Sequence, residues 1–272
     1  MTRMHISALY HFPIKSLQGH RCESLTLDRF GAVGDRRWML VDSDNQFVTQ
    51  RRLRAMARLQ ATVTEAGVSI RNQSGDRIEV SRPDSSAPMR QVRVWKDTCT
   101  ARDAGDSAAE WLSEQLQTPV RLVAMGSEYR RPLPSPRDGI QVGFADGAPL
   151  LLIGQASLDD LNGRLEEPVS MLRFRPNLVI EGAAPFAEDD WRLIRIHTAG
   201  GPLELEGTHP CSRCAIPGLD PDTGRPTKEP LRTLSRYRRG EDGQVYFGQN
   251  LAPRLSDPNG ATIHLGDRVE VE

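Results

Sequence analysis

The apolar residues of this chain come in short runs cut by polar turns, and that pattern restricts the fold before any motif is read. The longest run, around Leu150–Ile153, falls far short of the ~20 apolar residues that span a bilayer. The first hundred residues show no helical period. "RRWMLVDSDNQFVTQRR" places apolar runs on either side of a polar turn, Asp42–Gln46, as a hairpin does. "LQATVTEAGVSIRN" turns at Ala66–Gly67, "DRIEVSR" alternates through Ile78 and Val80, and "RVWKDTCTARD" is equally short and strand-like. A small barrel or sandwich follows.

Two helices interrupt this pattern. "GDSAAEWLSEQL" carries Ala108, Trp111, Leu112 and Leu116 on one face, and Ser107 with Glu110 makes a capping-box pattern. "SLDDLNGRL" places Leu158, Leu161 and Leu165 at helical spacing behind a capping Ser157. "RPNLVIEG", "WRLIRIHTA", "PLELEG" and "GDRVEVE" are strand-like again. The fold class expected is mostly β with a few helices, an α+β chain. At 272 residues it has room for one large domain or two ordinary ones. The stretch Tyr129–Gly139, with three prolines in eleven residues, is the best linker candidate. We therefore expect units at residues 1–125 and 126–272.

The net charge of −1 supplies no global field for nucleic acid or anionic membrane, so neither is expected as a partner. The N-terminal stretch, broken by charge, histidine and proline, lacks a secretory h-region, which leaves a cytosolic location as the expectation. Of 35 basic residues only Lys15, Lys96 and Lys228 are lysine. Arginine clusters at Arg36–Arg37, Arg51–Arg52 and Arg173–Arg175 offer planar forks suited to phosphates and carboxylates.

Four cysteines, Cys22, Cys99, Cys211 and Cys214, are too few for a disulfide scaffold. Two of them stand in "HPCSRCAIPGLDPDTG". A structural zinc site wants four soft ligands. His209 with Cys211 and Cys214 would supply three, and the fourth is not evident. A zinc deaminase needs an upstream H-x-E, and none of the six histidines begins one. A dithiol exchanger needs a helix start after the pair, where this chain has Pro217 and a turn-rich run. Cysteines that merely pack, or structural zinc, stay open beside a fifth reading. In that reading a loop-borne thiolate, flanked by Ser212 and Arg213, serves a transition metal held mainly by its own cofactor.

Several motifs occur together in one order: "HFPIKSLQG", "GDRRWMLVD" with "FVTQR", "ADGAPLLLIGQASLDDLN", "FRPNLVIEG", "PCSRC" with "DPDTG", "KEPLRTLSRYR" and "VYFGQN". In these the chain resembles, nearly end to end, the MOSC-domain proteins of the bacterial YcbX and mitochondrial amidoxime-reducing component type. The resemblance implies an N-terminal β-barrel-like domain packed on a MOSC β-barrel domain. It also implies a molybdenum cofactor, a pyranopterin whose dithiolene binds molybdenum, with Cys214 as the one protein ligand to the metal. Lys15, Ser16, Arg36, Arg175, Asn177, Ser212, Arg213 and Asn250 fall on the family's cofactor-binding positions. Asp146 matches an acidic residue near the metal, where it would relay protons or position substrate. Arg51, Arg52 and Arg173 have no firm match and read as surface residues.

The reaction implied is reduction of an N–O bond, with hydroxylamines or amidoximes going to amines or amidines plus water. The given sequence ends at Glu272 without the four clustered cysteines of an appended iron–sulfur domain. A separate electron-transfer protein, of ferredoxin or flavin reductase type, is therefore expected. Two other classes remain: a MOSC protein that carries or transfers the cofactor or its sulfur, and a binding domain with structural cysteines or zinc.

Overall fold

The computed structural model describes residues 3–132, 141–254 and 260–272. The larger unit is a closed barrel of seven strands. Going round, these are Leu178–Glu181, Leu150–Gly154, Tyr246–Arg254, Gly201–Ser212, Leu193–Thr198, Arg268–Val271 and His5–His11, which returns to Leu178–Glu181. Closure removes both free edges, and His20–Cys22 adds to the outside of the first strand. Among the described strands of the barrel, only Leu150–Gly154 and Leu178–Glu181 run parallel. The chain between them must therefore cross over, and the helix Gln155–Asn162 lies within that crossing. The barrel interior is filled by Leu9, Leu152, Ile180, Ile194, Leu205 and Leu251, each essentially inaccessible.

The smaller unit is built from two sheets. Trp38–Val41, Arg121–Ala124, Asp97–Asp103 and Met89–Val94 form one, and Gln60–Val63, Gly67–Arg71 and Arg77–Ser81 the other. The helix Asp106–Leu116 packs Ala108, Leu112 and Leu116 against them. Both turns read from the sequence form. Asp42 N–H donates to Gln46 O at 3.0 Å, and Thr64 and Gly67 exchange backbone bonds between paired strands. The mostly-β reading holds.

The two helix starts differ from expectation. Neither Ser107 nor Ser157 is a cap: both lie inside their helices, which begin after Gly105 and Gly154 without a side-chain cap bond. Ser157 is fully buried and donates instead to Glu188 Oε2 at 2.8 Å, while accepting the Phe186 N–H at 2.7 Å. A hydroxyl with a buried carboxylate in reach satisfies that group rather than its own helix end.

The two units are interleaved. The first strand of the chain closes the larger barrel, while Tyr129 and Phe144 pack in the core of the smaller one with rings 5.2 Å apart. Tyr129 donates to the Val142 and Gly143 carbonyls, so the proline-rich stretch starts from packed residues. Its part from residue 133 to Gly139 lies outside the described residues. Among the described residues no helix is long and apolar enough to cross a membrane.

Candidate functional site

The loop after the first strand carries Lys15 and Ser16. It is pinned to the smaller unit by Lys15 N–H to Trp38 O at 2.8 Å and Gln18 N–H to Leu59 O at 2.9 Å. The Lys15 side chain is buried (4% exposed), donates to Phe144 O at 2.7 Å, and forms an ion pair with Asp146. Burial lowers the Lys15 pKa, and the Asp146 charge opposes that shift. Asp146 shows the complementary balance. Burial would raise its carboxyl, but the Lys15 ammonium and the Trp95 indole N–H, 3.0 Å away, hold it well below the usual carboxylate range. Although protein atoms surround it densely, its side chain is 55% exposed, so solvent screens part of this interaction.

Arg36 and Arg175 come together around one aromatic ring. Their guanidinium carbons lie 4.4 and 4.3 Å from the Phe12 centroid. Arg36 donates to Asp35 Oδ2 at 2.5 Å, Asn177 Oδ1 at 3.1 Å and the Arg175 carbonyl at 2.9 Å. Arg175 donates to Leu17 O at 2.7 Å. Burial first, then the like charge of Arg36, pushes the Arg175 pKa down to about 9, with Asp35, Asp146 and Cys214 opposing. Asp35 is bonded to Arg36 alone of this pair, and it also accepts the Phe12 N–H at 2.7 Å. Asn177 is buried, with its amide spent on Arg36, Leu151 N–H and Tyr10 O. It positions Arg36 and keeps little capacity for a ligand.

The backbone here is unusual. Ser16, Arg36, Arg175 and Trp95 all have positive φ (65°, 46°, 57° and 57°), although none is glycine. Each such residue costs on the order of 1 kcal/mol and persists where its surroundings over-determine it, commonly at functional sites. Gln50 Nε2 holds the Ser16 carbonyl at 2.7 Å, and Arg36 N–H and C=O are tied to Phe12 and Phe144 at 2.8 Å each.

The cysteine pair straddles the end of the long strand Gly201–Ser212: Cys211 is within it and Cys214 just beyond. Cys211 and Cys214 are both free thiols, and Cys214 is exposed. Arg213 donates to Cys211 Sγ at 3.0 Å and to Phe174 O at 2.7 Å, and its buried Nε has no hydrogen-bond partner. Among the described residues no three His, Cys, Asp or Glu side chains gather as a metal cage. That leaves the structural-zinc reading without its ligands. A narrow cleft between the units is lined by Phe12, Gln18, Gln50, Arg173, Arg175 and Leu219.

Lys15 is thus brought to Asp146, Arg36 to Arg175 and Asn177, and Arg175 within electrostatic reach of Cys214. Ser212, exposed at the end of its strand, and Asn250, whose carbonyl accepts the Thr208 hydroxyl at 3.1 Å, make no side-chain bond to this group. Arg52 lies outside on Asp42. Arg51 and Arg173, read as surface residues, belong to the site region. Arg51 stacks on the Trp95 ring at 4.5 Å, beside Asp146, and Arg173 walls the cleft. Trp95 was missed, because "RVWKD" reads only as a strand end. His209, weighed only as a third zinc ligand, lies against Gly147, the residue after Asp146: a Cβ there would be 3.6 Å from its Nε2. No sequence signal gave that.

These donors suit an anionic, phosphate-bearing group. Of two neighbouring guanidiniums only Arg36 is bonded to a carboxylate, the buried Arg213 Nε is orphaned, and a free exposed thiol stands near them.

Comparison with known proteins places the chain. Residues 3–119 match the model of the MOSC N-terminal beta barrel domain, and residues 140–270 that of the MOSC domain. "Mitochondrial amidoxime-reducing component 1" of Mus musculus is 33% identical over 97% of this chain and 81% of that protein. The Homo sapiens protein of the same name is 32% identical over 97% and 82%. "Molybdenum cofactor sulfurase" of Oryza sativa subsp. japonica is 31% identical over 90% of this chain, but only 32% of that protein is covered. The cytosolic expectation is corrected by these relatives. Several carry "mitochondrial" in their names, which points to a mitochondrial rather than a cytoplasmic location.

Proposed function

Since the chain belongs to the MOSC family that includes the mitochondrial amidoxime-reducing components, we propose that it is a molybdenum cofactor-dependent oxidoreductase. It reduces N-hydroxylated compounds to amines or amidines, with electrons from a separate redox protein of ferredoxin or flavin reductase type. The observation that best supports this is the free, exposed Cys214 thiol beside the under-neutralised Arg36–Arg175 pair. In this reading residues 1–125 supply Lys15, Ser16 and Arg36, and residues 126–272 supply the remaining contacts.

When bound, the cofactor supplies two-electron chemistry at a metal that can accept an oxygen atom. Cys214 would hold that metal through its thiolate. Arg36, Arg175 and Arg213 would neutralise the phosphate end, with Lys15, Ser16, Ser212 and Asn250 around the pterin and Asn177 fixing Arg36. Asp146, kept ionised by Lys15, is an acceptor at neutral pH. It would orient the N–H or O–H of the substrate while the Lys15 ammonium holds a proton directly behind it. Trp95 donates to the same carboxylate oxygen, Oδ1, as Lys15 does.

The test is metal quantitation together with turnover of an N-hydroxylated purine using an artificial donor. We expect about one molybdenum per chain, as one thiolate site implies. Cys214→Ser should lose turnover with its circular dichroism intact, Cys211→Ser should keep it, and Arg175→Met should bind less molybdenum. Zinc, or no metal, in freshly purified protein would overturn the proposal. The similarity to a molybdenum cofactor sulfurase supports a second reading, carriage of the cofactor or its sulfur. A molybdenum-loaded protein inert to every N-hydroxylated substrate would select it.

A further inference from the structure

Arg36 and Arg37 are consecutive, yet they serve different places. Arg36 turns to the site above, whereas Arg37 lines a separate cavity of about 440 Å³ on the smaller unit. Four arginines wall this cavity, Arg29, Arg37, Arg82 and Arg102, against two lining carboxylates, Asp28 and Asp84. Those carboxylates are largely spent. Asp28 Oδ1 takes Arg37 Nη2 at 2.6 Å and the Phe30 N–H at 2.7 Å. Asp84 Oδ1 takes the Ser86 N–H and hydroxyl at 2.8 and 2.6 Å, closing its own turn.

Three of the four arginines keep free capacity. Arg37 is 7% exposed, and its buried Nε has no hydrogen-bond partner. Arg102 is spent: its Nη1 clamps the loop carrying Asp84 through the Ser85 and Ala87 carbonyls at 2.7 and 2.9 Å, and its Nε pairs with Glu128 Oε1 at 2.9 Å. Arg29 and Arg82 are exposed and make no side-chain hydrogen bond or ion pair among the described residues. Arg29 lies over the Phe30 ring at 4.9 Å, and Arg37 over the same ring at 4.8 Å. Arg37 and Arg102 are thus matched by Asp28 and Glu128, whereas Arg29 and Arg82 bring two further guanidiniums to the same concavity with no ion-pair partner among the described residues, and like charges at close range repel. An oxyanion that takes several N–H donors in a fork geometry resolves this. The remaining wall is apolar: Val33, 47% exposed, stands in the cavity with Pro83 and Met125. The space is larger than one phosphate group needs.

We propose that this cavity binds a small phosphorylated ligand, its phosphate held by Arg29, Arg82 and Arg37 and its organic body lying against Val33 and Pro83. It is distinct from the Arg36–Arg175 site on the other side of the same loop.

The experiment is isothermal titration of the full chain, as purified, with inorganic pyrophosphate and separately with AMP at low salt. Wild type, Arg29→Ser/Arg82→Ser and Arg175→Met are compared. Arg29 and Arg82 are exposed, so the double variant should fold, which circular dichroism checks. Saturable binding of either probe that weakens about tenfold in the double variant and persists in Arg175→Met supports the proposal; about 1.4 kcal/mol corresponds to that factor. Tighter binding of AMP identifies an organic phosphate as the ligand, and tighter binding of pyrophosphate a free one. No saturable binding at about millimolar probe, or binding that falls in Arg175→Met but not in the double variant, overturns it.

Discussion

The pair formed by Lys15 and Asp146 offers the most direct test of how the site is held. Lys15 is buried and Asp146 is half-open, so the two losses differ. Lys15→Met removes a charge-assisted bond to the Phe144 carbonyl as well as the ion pair. Hydrogen bonds to charged groups contribute about 1.5–3 kcal/mol. Relief of the lysine's desolvation offsets part of that, leaving a net destabilisation of about 1–2 kcal/mol. Asp146→Asn keeps a carbonyl acceptor for Trp95 but leaves the ammonium buried and unpaired. Breaking a buried pair from one side costs about 3–5 kcal/mol. Solvent at Asp146 reduces this to about 2 kcal/mol. In a double-mutant cycle read by urea unfolding, the two changes should couple by about 1 kcal/mol, because Lys15 and Asp146 are in direct contact. The pH dependence has a fixed sign. Asp146 has a depressed folded pKa, so its contribution is fully present above its unfolded value near 3.8. The gap between wild type and Asp146→Asn should stay constant from neutral pH down to that value, and shrink only as pH falls further through the folded pKa. Additive single changes, or a gap that already closes between neutral pH and about pH 5, would refute the reasoning.

Two further outcomes follow from packing. Gly224, in the "DPDTG" loop, has φ +71° and would bring a Cβ within 2.4 Å of the Arg54 carbonyl on the smaller unit. Gly224→Ala should therefore destabilise by more than about 1 kcal/mol, measured by thermal unfolding. Glu188 is inaccessible and accepts the Gly154 N–H at 3.0 Å and the Ser157 hydroxyl at 2.8 Å. Glu188→Ala, which strands both donors, should cost about 3 kcal/mol. Burial raises the Glu188 pKa above 4.5, against the bonds from Gly154 and Ser157. Its contribution is greatest at low pH and declines as pH rises through the folded value, so the loss in Glu188→Ala should be larger at acid pH than at alkaline pH.

Local patterning revealed the strands, because alternation and turn residues act over a few positions: the Asp42–Gln46 and Ala66–Gly67 turns both form. Closure was hidden, since pairing His5–His11 with Leu178–Glu181 depends on contacts more than 160 residues apart. The helix starts misled for a related reason. Ser157 looks like a cap in sequence, but a buried Glu188, distant in the chain, competes for its hydroxyl. In the site, Lys15, Arg36, Arg175 and Cys214 were legible through motif order. Trp95 and Arg51 were not, because a tryptophan at a strand end signals only packing. Their place beside Asp146 arises only in the folded chain, where Trp95 donates to Asp146 and Arg51 stacks on the Trp95 ring.

The same comparison explains why the site lies where the units interleave. The anion-facing arginines come from opposite sides: Arg36 from the loop before Trp38, Arg175 from the residues before Leu178. Each would be repelled by the other without a shared scaffold. Phe12 provides it, since both guanidiniums sit over its ring and its N–H holds Asp35 in place. Because Phe12 directly follows the strand that closes the larger barrel, barrel closure and cation placement depend on one short segment, His11–Gly19. A loosened segment would separate Arg36 from Arg175 and Lys15 from Asp146 together. The backbone at Ser16, Arg36 and Arg175 is held in left-handed conformations within or directly against that segment. This strain is stored where relaxation would dismantle the cationic pocket first, which ties the integrity of the site to closure of the fold.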